Sequence, residues 1–171
     1  SADACDGAYC QGHRDVLHWA RAHGCEWSAR LCKAAAYKGD LEFLQWARGQ
    51  GCPWDEETCS QAARMGHFAL LRWAYENWCP WDSLTCDYAA GHGHLEILQW
   101  ARARGCPWTS DACDTAAVFG HLHVLQWARA QGPPCPWTSR ALKVGTCYRY
   151  PEGHPEVRAW VLANGCPQDD Y

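Results

Sequence analysis

No stretch of the chain stays apolar for the roughly 18–20 residues that a bilayer-crossing helix needs, so no membrane-spanning helix is expected. No charged-then-apolar leader opens it, and it begins at Ser1 rather than Met, as expected of a processed or trimmed form. Basic residues are few and scattered: 15 Lys and Arg stand against 19 Asp and Glu, for a net charge of -4. A stripe of cations facing phosphates is missing, so nucleic acid is not an expected partner. The sequence also lacks a phosphate loop, a Ser-His-Asp set and a nucleophile elbow. It has no tight Cys-x-x-Cys pair of the kind that holds zinc. The paired acids Glu56-Glu57 and Asp169-Asp170 read as solvated charge. These absences leave no catalytic residue, metal or cofactor to expect.

What is present is a repeat. Gly93-His94-Leu95-Glu96-Ile97-Leu98-Gln99-Trp100-Ala101-Arg102 runs on to Gly105-Cys106-Pro107-Trp108. Gly39 to Arg48 with Gly51-Cys52-Pro53-Trp54 says nearly the same, and so does Gly120 to Arg129 with Cys135-Pro136-Trp137. The leading glycines Gly12, Gly39, Gly66, Gly93 and Gly120 keep a period of 27 residues. A fixed period in this range marks stacked repeats.

Each unit reads as two short helices. In the third, Cys59, Ala62 and Ala63 give helical spacing over about 56–65, with Asp55 as N-cap and Gly66 as the stop. A second helix over about 68–77 buries Leu70, Leu71, Trp73 and Ala74, turns Arg72 and Glu76 to water, and ends before Cys79-Pro80-Trp81. Helix pairs are thus predicted near 1–23, 28–50, 55–77, 82–104, 109–131 and 138–164. The fold class is all-α, a single solenoid domain of about six stacked helix-turn-helix repeats over residues 1–171. The sixth pair departs. Pro133-Pro134 adds two residues, Cys147 is out of phase, and Lys143–Pro151 reads as an irregular loop or a longer first helix. Arg14 and Arg158 replace repeating leucines, as polar capping units would, and imply a nearly complete array.

Three residue types, Trp, Cys and His, recur in columns. Trp19, Trp46, Trp73, Trp100, Trp127 and Trp160 form one, and Trp27, Trp54, Trp81, Trp108 and Trp137 another. An indole burying about 200 Å² at about 25 cal/mol/Å² contributes about 5 kcal/mol gross, so these rings are expected to hold the stack. Row upon row of cysteines at fixed phase (Cys25 and Cys32, Cys52 and Cys59, Cys79 and Cys86, Cys106 and Cys113) points to small buried thiols in a reducing intracellular compartment. Disulfides and metal ligation remain the alternatives. His13, His67, His94, His121 and His154 follow the leading glycines, with Asp40 in the same phase, and read as cap or turn hydrogen-bonders.

These residues resemble the ankyrin repeat family. Ala89-Ala90-Gly91-His92-Gly93-His94-Leu95-Glu96-Ile97-Leu98-Gln99-Trp100-Ala101 matches its consensus without a gap, and Gly105-Cys106 stands for its Gly-Ala. The family unit has about 33 residues; the shorter unit here lacks the tip of the linking hairpin. Cys32, Cys59, Cys86 and Cys113 align with the Leu of its Thr-Pro-Leu-His, and Lys33, Ser60, Asp87 and Asp114 with its His. The resemblance implies a concave face built by the first helices. On it would stand Tyr37, Lys38, Gln61, Arg64, Met65, Tyr88, His92, Thr115, Val118 and Phe119, which vary from unit to unit against a constant frame. Val118 and Phe119 together would form an apolar spot. The expected function is a non-enzymatic scaffold or adaptor binding another protein or protein complex. The alternative is a structural protein that holds a metal or ligand on the Cys/His or Trp columns.

Overall fold

The computed structural model describes residues 2–143 and 154–168. The segment expected to be irregular, apart from Lys143, lies outside them, as do Cys147 and Asp169-Asp170. Among the described residues every regular element is helical, eleven α-helices and one 3-10 turn. The all-α class of stacked helix pairs is what the chain adopts. Two compact units divide it, residues 1–81 and 82–171, and the boundary falls between two repeats.

Unit 1 contains α1 (Ala2–Cys10), α2 (Arg14–Ala22), α3 (Ala29–Lys38), α4 (Leu41–Gly49), α5 (Glu56–Met65) and α6 (Phe68–Glu76). Each odd helix pairs with the even one that follows, and α1, α3 and α5 pack side by side in chain order. Unit 2 contains α7 (Ser83–Gly91), α8 (Leu95–Ala103), α9 (Ser110–Val118), α10 (Leu122–Arg129), the 3-10 turn (Ser139–Leu142) and α11 (Pro155–Ala163). Here α7 packs on α8 and α9, and α9 packs on α10 and on the 3-10 turn. The described start of the sixth pair is thus a single 3-10 turn where a first helix was predicted.

Helices of eight to ten residues are too short to persist alone in water. They stand because small residues let them approach closely. Cys32, Ala35 and Ala36 on α3, Cys59, Ala62 and Ala63 on α5, and Cys86, Ala89 and Ala90 on α7 are all fully buried. Leu44 and Ala47, Leu71 and Ala74, Leu98 and Ala101, and Leu125 and Ala128 face them from the second helices, also buried. Arg72 and Glu76 point to water and pair at 3.1 Å, as expected.

The indoles do not form this core, which corrects the expectation placed on them. Trp27 is buried, but Trp19 is 63% exposed, and the other members of both columns are half-buried. Instead the linker indole of one repeat meets the second-helix indole of the next, tilted between Trp27 and Trp46 and edge-on in the other three pairs. Trp27 with Trp46, Trp54 with Trp73, Trp108 with Trp127 and Trp137 with Trp160 lie 5.3, 5.9, 6.0 and 6.0 Å apart between centroids. An arginine from the same repeat covers the linker ring: Arg48 on Trp54 at 4.0 Å, Arg102 on Trp108 at 4.1 Å and Arg129 on Trp137 at 4.1 Å. Each guanidinium also donates to the carbonyl of Cys52, Cys106 or Cys135. The rings seal one edge of the stack while the interior is Leu, Ala and Cys.

The leading glycines end the first helices. Gly39, Gly66, Gly93 and Gly120 have φ of 74°, 77°, 78° and 83°, a left-handed conformation that costs side-chain-bearing residues energy. The next N–H then donates five residues back: His67 to Ala62 at 2.9 Å, His94 to Ala89 at 2.9 Å and His121 to Ala116 at 2.8 Å. Gly51 and Gly105 end α4 and α8 the same way, with φ of 81° and 80°. At the end of α6 the same left-handed position is held by Trp78, with φ of 66°. After α10, Pro133-Pro134 lengthens the connection, yet Cys135 N–H still reaches the Ala128 carbonyl at 3.1 Å.

Two glycines of like backbone separate strain from space. A Cβ on Gly93 would sit 2.7 Å from His121 Nδ1, whereas one on Gly105 meets nothing within 4 Å. Gly105→Ala is expected to cost about 1 kcal/mol, and Gly93→Ala about 2–4 kcal/mol because the His121 ring must also move. Urea unfolding of the two variants checks the difference. Equal losses would show that the ring contact contributes nothing.

Candidate interaction surface

Several polar residues that look functional in sequence are links between neighbouring repeats. His67, His94 and His121 occupy N-cap positions but make no side-chain cap bond. Within unit 1 the His67 ring covers Gly39, and its Nε2 meets the Tyr37 carbonyl at 3.2 Å. The expected local cap is therefore a bond across the repeat interface. Asp40, in the same phase, does cap its helix, accepting from Phe43 N–H at 3.1 Å, and also takes the Tyr9 hydroxyl at 3.1 Å and Arg14. Asp55 stands at the predicted N-cap of α5 but makes no side-chain cap bond, while Asp82 caps α7 through Leu84 N–H at 3.0 Å.

Asp87 and Asp114 are buried carboxylates, which makes them candidates for acid-base work. Both are committed elsewhere. Thr109 donates its N–H and hydroxyl to Asp87 at 2.9 Å each, and Thr138 donates to Asp114 at 2.8 and 2.6 Å. Burial holds the Asp87 carboxyl above its ordinary range, and the Thr109 donors offset only part of that rise. These aspartates fasten α7 to the start of α9, and α9 to the start of the 3-10 turn.

The cysteines follow the thiol reading. None of the twelve described cysteines forms a disulfide; ten are buried, Cys25 is half-buried and Cys10 is exposed. They meet in pairs within repeats. Cys5 Sγ lies 3.2 Å from Cys25 Sγ, and Cys86 and Cys113 reach the carbonyls of Cys106 and Cys135 at 3.8 and 4.0 Å. The hydrogen-bonded neighbouring sulfur, and burial after it, push the Cys32, Cys86 and Cys113 thiols well above the usual range. No group of three or more His, Cys, Asp or Glu suited to a metal occurs among the described residues.

What remains is the row of first-helix ends. In unit 1 a groove of about 610 Å³ is formed there, between α1, α3 and α5. Asp6, Arg30, Lys33, Tyr37, Lys38 and Gln61 line it. Of the predicted residues, Tyr37 is 49% exposed at its edge. Lys38 is exposed but committed: its Nζ caps the end of α1 by donating to the Tyr9 and Cys10 carbonyls at 3.1 and 3.2 Å. Gln61 is 8% exposed, which corrects its assignment to an open surface; it lines the groove from below. Arg64 and Met65 are exposed at the end of α5, outside the groove lining.

In unit 2 the ends of α7 and α9 bring the other five together. His92 is exposed and bonds the Tyr88 carbonyl through Nδ1 at 3.0 Å, while Tyr88 is half-buried. Phe119 is 44% exposed and lies 6.3 Å from the His92 ring. Thr115 and Val118 are half-buried, so the apolar spot is chiefly Phe119. His94, His121 and His123 flank this ridge. Sequence reading took these histidines one by one; the turns gather them, with His92 and His94 rings 6.5 Å apart and His121 and His123 rings 6.1 Å apart.

Compared with known proteins, the chain matches no family model and no curated protein. The surface is read from its own residues. One cluster escaped the sequence reading: Tyr75, Trp78 and Trp81 at the end of α6. Its signal was available, since Tyr75 stands where other repeats have Arg48, Arg102 and Arg129, and Trp78 where they have glycine.

Two outcomes follow. Among the described cysteines, Cys10 is expected to react with an alkylating reagent first and Cys25 next, with the buried thiols protected until unfolding; mass mapping of timed samples checks the order. Burial, with His123, His92 and His94 beside it, holds His121 below the usual imidazole range. A histidine so depressed contributes stability above its unfolded value of about 6.5, lost as pH falls through the lower folded value. The melting temperature is therefore expected to drop between about pH 7.5 and about pH 5, and less steeply in His121→Asn. Parallel slopes for the two proteins would remove His121 from the effect.

Proposed function

We propose that the chain is an ankyrin-like repeat protein that acts as a non-enzymatic scaffold, binding a partner protein through the ends of its first helices. One observation carries the reading. The constant Leu, Ala, Cys and Gly positions are buried or conformationally required, while the variable positions Tyr37, Arg64, Met65, His92 and Phe119 are exposed. Exposed aromatic, cationic and apolar groups on a rigid frame are the usual anchors of a protein interface. The groove beside Tyr37 gives unit 1 a concave seat for such a contact. The likeness to ankyrin units supports the choice of this face.

Tyr37, Arg64, Tyr88 and Phe119 changed together to Ala should release the native partner while leaving the far-ultraviolet circular dichroism unchanged. Co-purification from the source cell, wild type against variant, reads the result. Loss of two or more interface anchors is expected to weaken binding by about a hundredfold or more. A variant that still brings down every native partner would assign binding to another face.

A further inference from the structure

The third repeat breaks the repeat's own rules at two positions on its linker edge. Trp78 has φ of 66° where Gly24, Gly51, Gly105 and Gly165 have φ of 75–81°. A bulky residue is strained there. Its side chain is 90% exposed, so burial does not offset the strain. Strain without an intramolecular return is a feature of binding positions.

Three residues earlier, Tyr75 stands at the position of Arg48, Arg102 and Arg129. Those guanidiniums lie on the linker indoles of their own repeats at 4.0–4.1 Å. Tyr75 instead lies against Trp81, with centroids 4.4 Å apart and planes inclined by 33°. At this phase the third repeat thus carries a ring where the others carry a cation. Tyr75, Trp78, Pro80 and Trp81 line a pocket of about 480 Å³, and Glu76 is its charged lining residue. Glu76 is held by Arg72 in an exposed i,i+4 pair, a weak contact that an incoming cation can share or displace.

We infer that Tyr75, Trp78 and Trp81, with Glu76 at the rim, form a receptor for an arginine or lysine side chain of a partner protein. The fold itself shows what its linker rings accept, since a guanidinium covers the indole in four other repeats. Ring faces attract cations through their quadrupole, and a carboxylate beside them adds to the attraction. A sugar would need a surround of polar groups, and the lining is mostly ring and proline surface. The inference rests on the scaffold reading only in that the cation belongs to a protein, and it adds a contact away from the first-helix face.

The test titrates the full chain with a short peptide carrying one arginine, and with the same peptide carrying citrulline, its neutral isostere. Indole N–H signals in nitrogen-15 NMR spectra report binding, and Trp78→Gly identifies the Trp78 signal. The arginine peptide should shift the Trp78 signal, and citrulline should bind about tenfold more weakly. Glu76→Gln should weaken arginine binding several-fold. Trp78→Gly should abolish it while raising the melting temperature by about 2–5 °C, because the strain is relieved. That rise excludes loss of folding as the cause. Equal binding of the two peptides, unchanged binding by Trp78→Gly, no binding at all, or preference for a proline-rich peptide or an oligosaccharide would overturn the inference. The native complex lost on mutating the first-helix face reports separately on the scaffold reading.

Discussion

A backbone N–H that follows a left-handed glycine and donates to a carbonyl five residues earlier governs this molecule. That bond ends each first helix after about two and a half turns and sends the chain back along its neighbour. It fixes where the Leu, Ala and Cys positions fall, and so which of them face the next repeat. It also leaves the glycine bare, which gives the following repeat's histidine a place to lie. His67 over Gly39, His121 over Gly93 and His154 over Gly120 are the same contact made three times. Helix ending and repeat stacking therefore depend on one residue type at one phase. Neither can be altered without the other.

The interior illustrates how short helices obtain stability without large side chains. Alanine and cysteine at the contact positions bring helix axes close, and many weak dispersion contacts replace a few large ones. Leucines from the second helices fill the remaining space. Buried aspartates are tolerated because the next repeat supplies two donors to each. The tryptophans work at the rim, where a ring can be apolar on one face, touch its neighbour edge-on, and still present area to an arginine. A half-exposed indole suits that position better than full burial would.

The fold was legible because periodicity is a global signal that no single residue can mask. The bounds of α5, Glu56–Met65, follow directly from Cys59, Ala62, Ala63 and Gly66. The burial of Cys32, Cys59, Cys86 and Cys113 was legible for the same reason. The role of the tryptophans was not, because hydrophobicity gives the gain from burial and not the depth available in a helix pair. Gln61 shows the same limit at the candidate surface: its phase matches exposed residues, but its side chain folds into the groove. Lys38 varies in sequence as a contact residue would, yet it caps α1, and only the coordinates reveal the carbonyls it meets. Tyr75 and Trp78 were visible as departures from the period but carried no weight until the backbone angle at Trp78 was known.

The connection after α10 keeps its closing bond across two additional residues. Register in this architecture is thus carried by the bond and not by the number of residues spanning it. The edge bearing the Cys-Pro-Trp turns can lengthen without disturbing the layers beside it, whereas the Gly-His edge, packed ring against backbone, has no such slack. Diversification by insertion has one side of each repeat open to it, and diversification by substitution has the other.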